Sequence, residues 1–177
     1  MNKIEIPKSK TKLLLGIGAS LIFVVVGVYF FTTADHQTHF NPYEIKVTGI
    51  TAVVFFGATC TYGIKKLSDK TIGIAIDDDG IFDNSNASSI GLIKWSDITA
   101  IKTESVRTTK FLLIYTTNPC HYLDKAKGFK RMLMAGNNRI YGTPLSITSN
   151  TLKCDFDELE MQIRERHQVK RKMVSTG

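Results

Sequence analysis

The chain has 177 residues with a formal net charge of +7, and its mean hydropathy of −0.03 conceals two apolar runs within the first 70 residues. Its three cysteines, Cys60, Cys120 and Cys154, are too few and too widely spaced for a disulfide framework, which indicates reduced thiols in a cytosolic domain. Residues 71–177 have an ordinary soluble composition and are numerous enough to bury a core of their own.

The first apolar run covers residues 13–31, where 13 of 19 residues are Leu, Ile, Val or Phe and none is charged. A helix of that length spans about 28 Å, close to the roughly 30 Å of a bilayer's hydrocarbon core. The run has no polar stripe of the kind that a soluble helix presents to water, so we predict a transmembrane helix. A cleaved signal peptide is the alternative, although its apolar region is usually about 7 to 15 residues long.

The second apolar run, residues 47–64, is also uncharged but contains four Thr and three Gly, with only seven residues from the set Leu, Ile, Val and Phe. Gly and Thr allow helix backbones to approach closely and to form hydrogen bonds across a helix pair in lipid. We therefore predict a second transmembrane helix that packs against the first. A buried helix of a soluble domain is the alternative.

Charge is distributed unevenly around these runs: +3 over residues 1–12, −1 over 32–46, +2 over 65–70 and +3 over 71–177. Because cytoplasmic flanks favour Lys and Arg, both termini are expected inside the cell. The sequence thus predicts a multi-pass protein of the cell (inner) membrane, with a basic cytoplasmic N-terminus (1–12), transmembrane helices (13–31 and 47–64), a short external loop (32–46) and a cytoplasmic domain (65–177).

The domain begins with short strands rich in β-branched and aromatic residues. Residues 71–76 alternate in polarity, and Asp79 and Gly80 predict a hairpin turn before a return strand at residues 81 and 82. Further strands are predicted at residues 92–95, 98–103 and 110–116, and the strand pattern returns at residues 145–148.

A helical segment interrupts these strands at residues 119–136. Asn118 is a suitable cap and Pro119 suits the first turn of a helix. The spacing predicts one apolar face formed by Tyr122, Ala126, Phe129 and Leu133, with Lys125, Lys127, Lys130 and Arg131 mostly off that face. Such a helix either lies on an anionic membrane surface or packs its apolar face on a sheet, and both alternatives stay open.

The chain ends in a predicted amphipathic helix. Asp155 is a suitable cap with Glu158 three residues later, and Phe156, Leu159 and Ile163 form the apolar stripe. Five cations follow: Arg164, Arg166, Lys170, Arg171 and Lys172. A basic tail binds anionic lipid in some proteins and is simply solvated in others.

Short strands followed by one C-terminal helix suggest a pleckstrin-homology-like (PH-like) domain. GLIKWSDI at residues 91–98 resembles the W-x-D-I segment of bacterial PH-like domains, and YGTPLSI at 141–147 with FDEL at 156–159 resembles the last strand and capping helix. Together with KIEIP at residues 3–7, these phrases resemble a family of uncharacterised bacterial membrane proteins with two N-terminal transmembrane helices. The resemblance implies an α+β fold, namely a helical hairpin followed by a bent β-barrel that the C-terminal helix caps, with a helical insertion before the last strands.

No catalytic motif is present, and His36 and His39 with Asp35 make a poor metal site, so we expect neither an enzyme nor a cofactor. We expect a membrane-anchored binding module that contacts anionic lipid or a protein and does not bind nucleic acid. The alternative is a protein-interaction or self-assembly scaffold that forms homo-oligomers. The candidate lipid contacts are Lys65, Lys66, Lys70, Lys125, Lys127, Lys130, Arg131, Arg164, Arg166, Lys170, Arg171 and Lys172.

Overall fold

The computed structural model describes residues 3–36, 40–107 and 109–175. The chain divides into two compact units: unit 1 consists of Met1–Ser9 together with Thr71–Gly177, and unit 2 consists of Lys10–Lys70. The fold class is α+β, as predicted, with two long apolar helices near the N-terminus and two antiparallel sheets.

Unit 2 consists of α1 (Lys10–Thr33), a 3₁₀ turn (Ala34–His36) and α2 (Pro42–Ser68). Both helices are longer than the predicted apolar runs, since polar residues on either side of each run are also helical. Asn41 caps α2, since its side chain accepts a 3.0 Å hydrogen bond from the backbone N–H of Tyr43. Both helices are long and apolar enough to cross a membrane, as the sequence predicted.

The two helices pack closely through glycine. A methyl group added at Gly49 would lie 2.6 Å from the carbonyl oxygen of Gly27, so this crossing requires residues without side chains. Large apolar side chains elsewhere on α1 remain exposed, including Leu15 (70%) and Val25 (67%). A helix in the core of a soluble protein would bury such residues, so the exposed apolar surface of α1 is suited to lipid.

The first sheet of unit 1 has four antiparallel strands in the order β1 (Ile4–Ile6), β2 (Ile74–Ile76), β3 (Gly80–Asp83) and β4 (Gly91–Lys94). The sequence did not predict β1, because residues 1–12 were interpreted as a basic N-terminal segment. The alternation of Ile4, Glu5 and Ile6 explains this strand, since Ile6 is buried in the core opposite Ile74.

The second sheet has three antiparallel strands, β5 (Ile98–Val106), β6 (Thr109–Thr116) and β7 (Leu145–Ile147). The described strands form two sheets and not the closed barrel that the sequence suggested. A 3₁₀ turn (Trp95–Asp97) separates β4 from β5, and residues 7–9 meet residues 151–153 through an isolated bridge between Lys8 and Leu152. The two sheets nevertheless bury a single core.

The predicted helical insertion consists of two helices, α3 (Pro119–Lys125) and α4 (Gly128–Tyr141). The chain breaks between them because Ala126 is buried in an extended conformation, and Gly128 follows with a φ of 55° that favours glycine. The helix α4 ends at Tyr141, five residues beyond the predicted end at residue 136, and Gly142 follows it in the left-handed conformation with a φ of 76°.

The last element, α5 (Phe156–Ser175), covers the core that the two sheets form. Leu159 and Ile163 are fully buried, so the predicted apolar stripe of this helix is confirmed. The cations of α5 lie in its C-terminal half, beyond the buried Leu159 and Ile163.

Replacing Ile6 with alanine tests whether β1 belongs to the core of unit 1. We expect a loss of about 2–4 kcal/mol in the free energy of unfolding, because Ile6 is only 5% exposed. Urea unfolding of the full chain in detergent, followed by the fluorescence of Trp95, measures this loss, since Trp95 is the single tryptophan and is buried in unit 1. Glu5→Ala is the control, and equal effects of the two substitutions would contradict a structural role for β1.

Candidate functional site

One end of unit 1 is defined by the chain itself, because the chain leaves this end for α1 and returns to it from α2. The N–H of Ser9 donates to the carbonyl of Thr151 (2.8 Å), and the side-chain amide of Asn84 donates to the hydroxyl of Thr71. We call this region, residues 7–9, 71 and 149–153, the anchor end.

A polar loop at residues 84–90 connects the anchor end to α4. The hydroxyl of Thr151 donates to the carbonyl of Ser85 at one end of the loop. At the other end, the ammonium of Lys130 on α4 donates a 2.7 Å hydrogen bond to the carbonyl of Ser89. These bonds connect the first turn of α4 to the anchor end through the loop.

The start of α4 exposes two large apolar side chains, one of which, Phe129, the sequence placed on a single apolar face with Tyr122 and Ala126. Phe129 is 66% exposed and Met132 is 60% exposed, whereas Tyr122 and Ala126 are buried as predicted. The prediction of one continuous face is wrong at Phe129 because the break at Ala126 changes the direction of the faces that follow it. The signal for this break was Gly128, which disfavours an uninterrupted helix.

Cations surround these exposed apolar side chains. Lys125 and Lys127 are exposed, with the ammonium of Lys125 lying 5.3 Å from the centroid of the Tyr122 ring. Arg131 is exposed and lies 3.4 Å from Asp124, a distance at which a surface pair contributes little. We call the surface formed by Lys125, Lys127, Phe129, Arg131 and Met132 the α3–α4 corner.

The candidate cations of α2 belong to the other unit. Lys65 and Lys66 lie in the last turn of α2, where cations interact favourably with the helix dipole, and Lys70 directly precedes Thr71 in the sequence. Lys66 is buried and Lys65 and Lys70 are exposed. Lys70 is therefore adjacent in sequence to Thr71 of the anchor end.

The candidate cations of α5 lie at the opposite end of unit 1. Lys170 forms a 2.8 Å ion pair with Asp78, which lies in the turn between β2 and β3. This pairing lowers the pKa of Asp78 to about 2. Fifteen residues of α5 separate Lys170 from Asp155 beside the anchor end, which corresponds to about 22 Å. We call this region, residues 77–80 and 95–97 with the last turns of α5, the turn end.

The twelve candidate cations consequently do not form a single surface. Lys125, Lys127 and Arg131 are exposed in the α3–α4 corner, and Lys130 is directed to the loop at residues 84–90. Arg164 attaches α5 to β5 through the carbonyl of Ile101 at 3.0 Å. The remaining cations of α5, Arg166, Lys170, Arg171 and Lys172, lie on the turns that approach or form the turn end.

Tyr122 positions α3 and thereby the corner. Its hydroxyl donates a 2.7 Å hydrogen bond to a carboxylate oxygen of Asp97. Burial together with this hydrogen bond raises the pKa of Tyr122 to about 12, and the same bond lowers the pKa of Asp97. The neutral phenol and the charged carboxylate are therefore the stable pair at neutral pH.

No group of three or more His, Cys, Asp and Glu side chains suited to a metal occurs in the part of the chain that the structure describes. Asp35 forms a 2.8 Å ion pair with Lys46, and His39 lies outside the described residues.

Comparisons of the chain with protein-family models, with curated proteins and with solved structures find no match. The functional assignment therefore rests on the geometry of unit 1 and on the chemistry of its exposed side chains.

Replacing Tyr122 with phenylalanine tests the positioning bond. A phenol whose pKa is raised on folding contributes stability that is complete below the unfolded pKa of about 10 and is lost as pH rises through about 12. We expect Tyr122→Phe to lower the free energy of unfolding by about 1–2 kcal/mol at neutral pH. We also expect this variant to lose less of its stability than wild type as the pH rises above about 10, which we call the alkaline decline.

Urea unfolding between neutral pH and pH of about 12 measures both effects. Tyr43→Phe is the control, because it removes an exposed phenol of unit 2 and is expected to keep the alkaline decline of wild type. An unchanged decline in Tyr122→Phe would show that Asp97 does not stabilise the neutral phenol.

Proposed function

We propose that this protein is a membrane-anchored, non-catalytic binding module that applies the α3–α4 corner to an anionic lipid surface. The observation that carries the proposal is the composition of the corner, which combines the exposed apolar side chains of Phe129 and Met132 with exposed cations. The alternative occupant of the corner is a protein partner, and it is an outcome of the test below.

The proposed membrane placement is supported by α1 and α2. Each has the length and apolar composition required to cross a bilayer, and less than a fifth of the most apolar window of each is buried within the molecule. The surface of α1 presents Leu15, Ile22 and Val25 outward, where water would make such exposure unfavourable. A lipid environment removes that penalty.

The proposed topology follows from the pairing of β1 with β2. These strands precede α1 and follow α2, so the helix pair must return the chain to the side from which it left. The lysines that flank both outer ends of the helix pair favour the cytoplasm as that side. Unit 1 then lies next to the cytoplasmic leaflet of the cell membrane.

The chemistry of the corner suits an anionic interface. Phe129 and Met132 provide apolar surface that enters the boundary between head groups and acyl chains. Lys125, Lys127 and Arg131 provide charge, and each cation near such a surface contributes about 1 kcal/mol that salt weakens. The anchoring helices keep the corner at a high local concentration of lipid, so even weak contacts are occupied.

We also propose that unit 1 is a divergent PH-like domain. Two antiparallel sheets that share one core, followed by a C-terminal helix that covers it, support this assignment. In this interpretation α1 and α2 are inserted between the first two strands, and α3 and α4 are inserted before the last strand.

The topology predicts which cysteines a membrane-impermeant maleimide labels in intact cells. In a background with Cys60→Ala and Cys154→Ala, we expect a cysteine at Phe40 to be labelled and the exposed Cys120 to be protected. A cysteine at Lys3 should be protected with Cys120, because β1 and β2 share a sheet. Labelling of Lys3→Cys without labelling of Cys120, or the reverse, would contradict the topology.

Lipid contact by the corner predicts quenching of a tryptophan placed at residue 129. In nanodiscs with brominated anionic lipids, we expect these lipids to quench the fluorescence of the tryptophan in Phe129→Trp. The fluorescence of the buried Trp95, measured in wild type, is the background. The effect should weaken when Lys125, Lys127 and Arg131 become Gln, and also at high salt.

Ile140→Trp is the matched control, because Ile140 has similar exposure on the same face of α4 but lies about 16 Å further along the helix, away from the corner. Equal quenching at both positions, or none at residue 129, would contradict the proposed contact. In the second case crosslinking at residue 129 would identify a protein partner.

A further inference from the structure

A groove between β5 and α5 lies outside the proposed lipid surface. It encloses about 280 Å³, and its polar lining comes from Thr99 on β5 and from Arg164, His167, Gln168 and Arg171 on α5. The four α5 residues share one face of the helix because of their spacing. None of the residues that line the groove has a carboxylate.

Arg164 is held in a fixed orientation within this groove. Its guanidinium donates to Glu160 (2.6 Å), to the carbonyl of Ile101 (3.0 Å) and to the hydroxyl of Thr103 (3.1 Å). A guanidinium has five N–H donors, so two donors remain after these three bonds. Burial alone would raise the pKa of Glu160, but the hydrogen bonds from Thr103 and Arg164 lower it, so Glu160 stays charged and fixes the arginine.

The other groups of the groove concentrate positive potential. Arg171 is exposed, and no carboxylate in the described part of the chain forms an ion pair with it. Burial lowers the pKa of His167. The positive charges of Arg171 and Arg164 lower it further, whereas a hydrogen bond with the backbone of Ile98 raises it. The lowered pKa favours neutral His167 at neutral pH, so the charge available to an anion in the groove comes from the two guanidinium groups.

We propose that this groove binds a phosphate-type oxyanion, with Arg164 and Arg171 as the charged donors and Gln168 and Thr99 as neutral ones. Guanidinium groups recognise phosphate oxygens through paired hydrogen bonds, and the lining adds no carboxylate beyond Glu160, which already pairs with Arg164. The two arginines are two helical turns apart, which favours an anion with more than one phosphoryl group.

The oxyanion has two sources, a soluble phosphorylated compound or a lipid head group. The groove is formed by the last turns of α5, whose Lys170 pairs with Asp78 at the turn end. That position favours the soluble source, and only this choice of source rests on the proposed function. The groove itself depends on β5 and α5 alone.

The test uses the full chain in phosphatidylcholine nanodiscs with ¹³C-labelled histidine and inorganic pyrophosphate as the probe. We expect a saturable shift of the His167 resonance in nuclear magnetic resonance spectra. Arg171→Gln and Gln168→Glu should each weaken binding at least about tenfold, the loss expected for a charge-assisted hydrogen bond. Both side chains are exposed, so the fold should tolerate these changes. Arg139→Gln on α4 is the matched control and should leave the affinity unchanged.

A second sample in nanodiscs containing phosphatidic acid, without pyrophosphate, separates the two sources. A His167 shift with pyrophosphate in neutral nanodiscs supports the site and a soluble ligand. A shift only with phosphatidic acid supports the site and assigns its oxyanion to the head group. The proposal is overturned if the His167 resonance does not shift in either sample, or if Arg171→Gln and Gln168→Glu bind pyrophosphate as tightly as wild type. The quenching experiment at residue 129 tests the lipid contact of the corner and is independent of this result.

Discussion

Antiparallel pairing between β1 and β2 joins two segments that lie on either side of the helix pair in the sequence. Unit 1 cannot complete its first sheet until α1 and α2 have brought these segments together. Closing a long connection is entropically unfavourable, and close packing at Gly27 and Gly49 offsets part of that loss by fixing the helix pair as one hairpin. The same pairing fixes where the chain leaves and rejoins unit 1, so it determines which end of the domain is tethered.

The tethered end gives the rest of unit 1 a direction. The loop at residues 84–90 attaches to Thr151 at one side and to Lys130 at the other, which connects the start of α4 to the anchor end. The helix α5 then runs from the anchor end to the turn end, where Lys170 meets Asp78. Cations that appear as one basic population in the sequence therefore belong to different elements, α3 and α4 in one case and α5 in the other.

Sequence patterns predicted most elements because each depends on local periodicity. The buried Leu159 and Ile163 of α5 and the turn at Asp79 and Gly80 are of this kind. The strand β1 was missed because three residues beside four lysines carry too short a signal, and its stability comes from a partner beyond the helix pair. The break between α3 and α4 was missed because it depends on the burial of Ala126 in the core in an extended conformation, which residue spacing alone does not predict.

The two cationic surfaces also differ in residue type. The α3–α4 corner contains Lys125 and Lys127 beside Phe129 and Met132, and an ammonium is a strongly hydrated point charge that suits a diffuse layer of head groups. The groove on α5 contains Arg164 and Arg171 with His167, and a guanidinium held by Glu160 and a strand carbonyl is oriented before any ligand arrives. The corner and the groove share no residue. Together the two proposals describe a domain that binds a lipid surface and a soluble anion through different side chains.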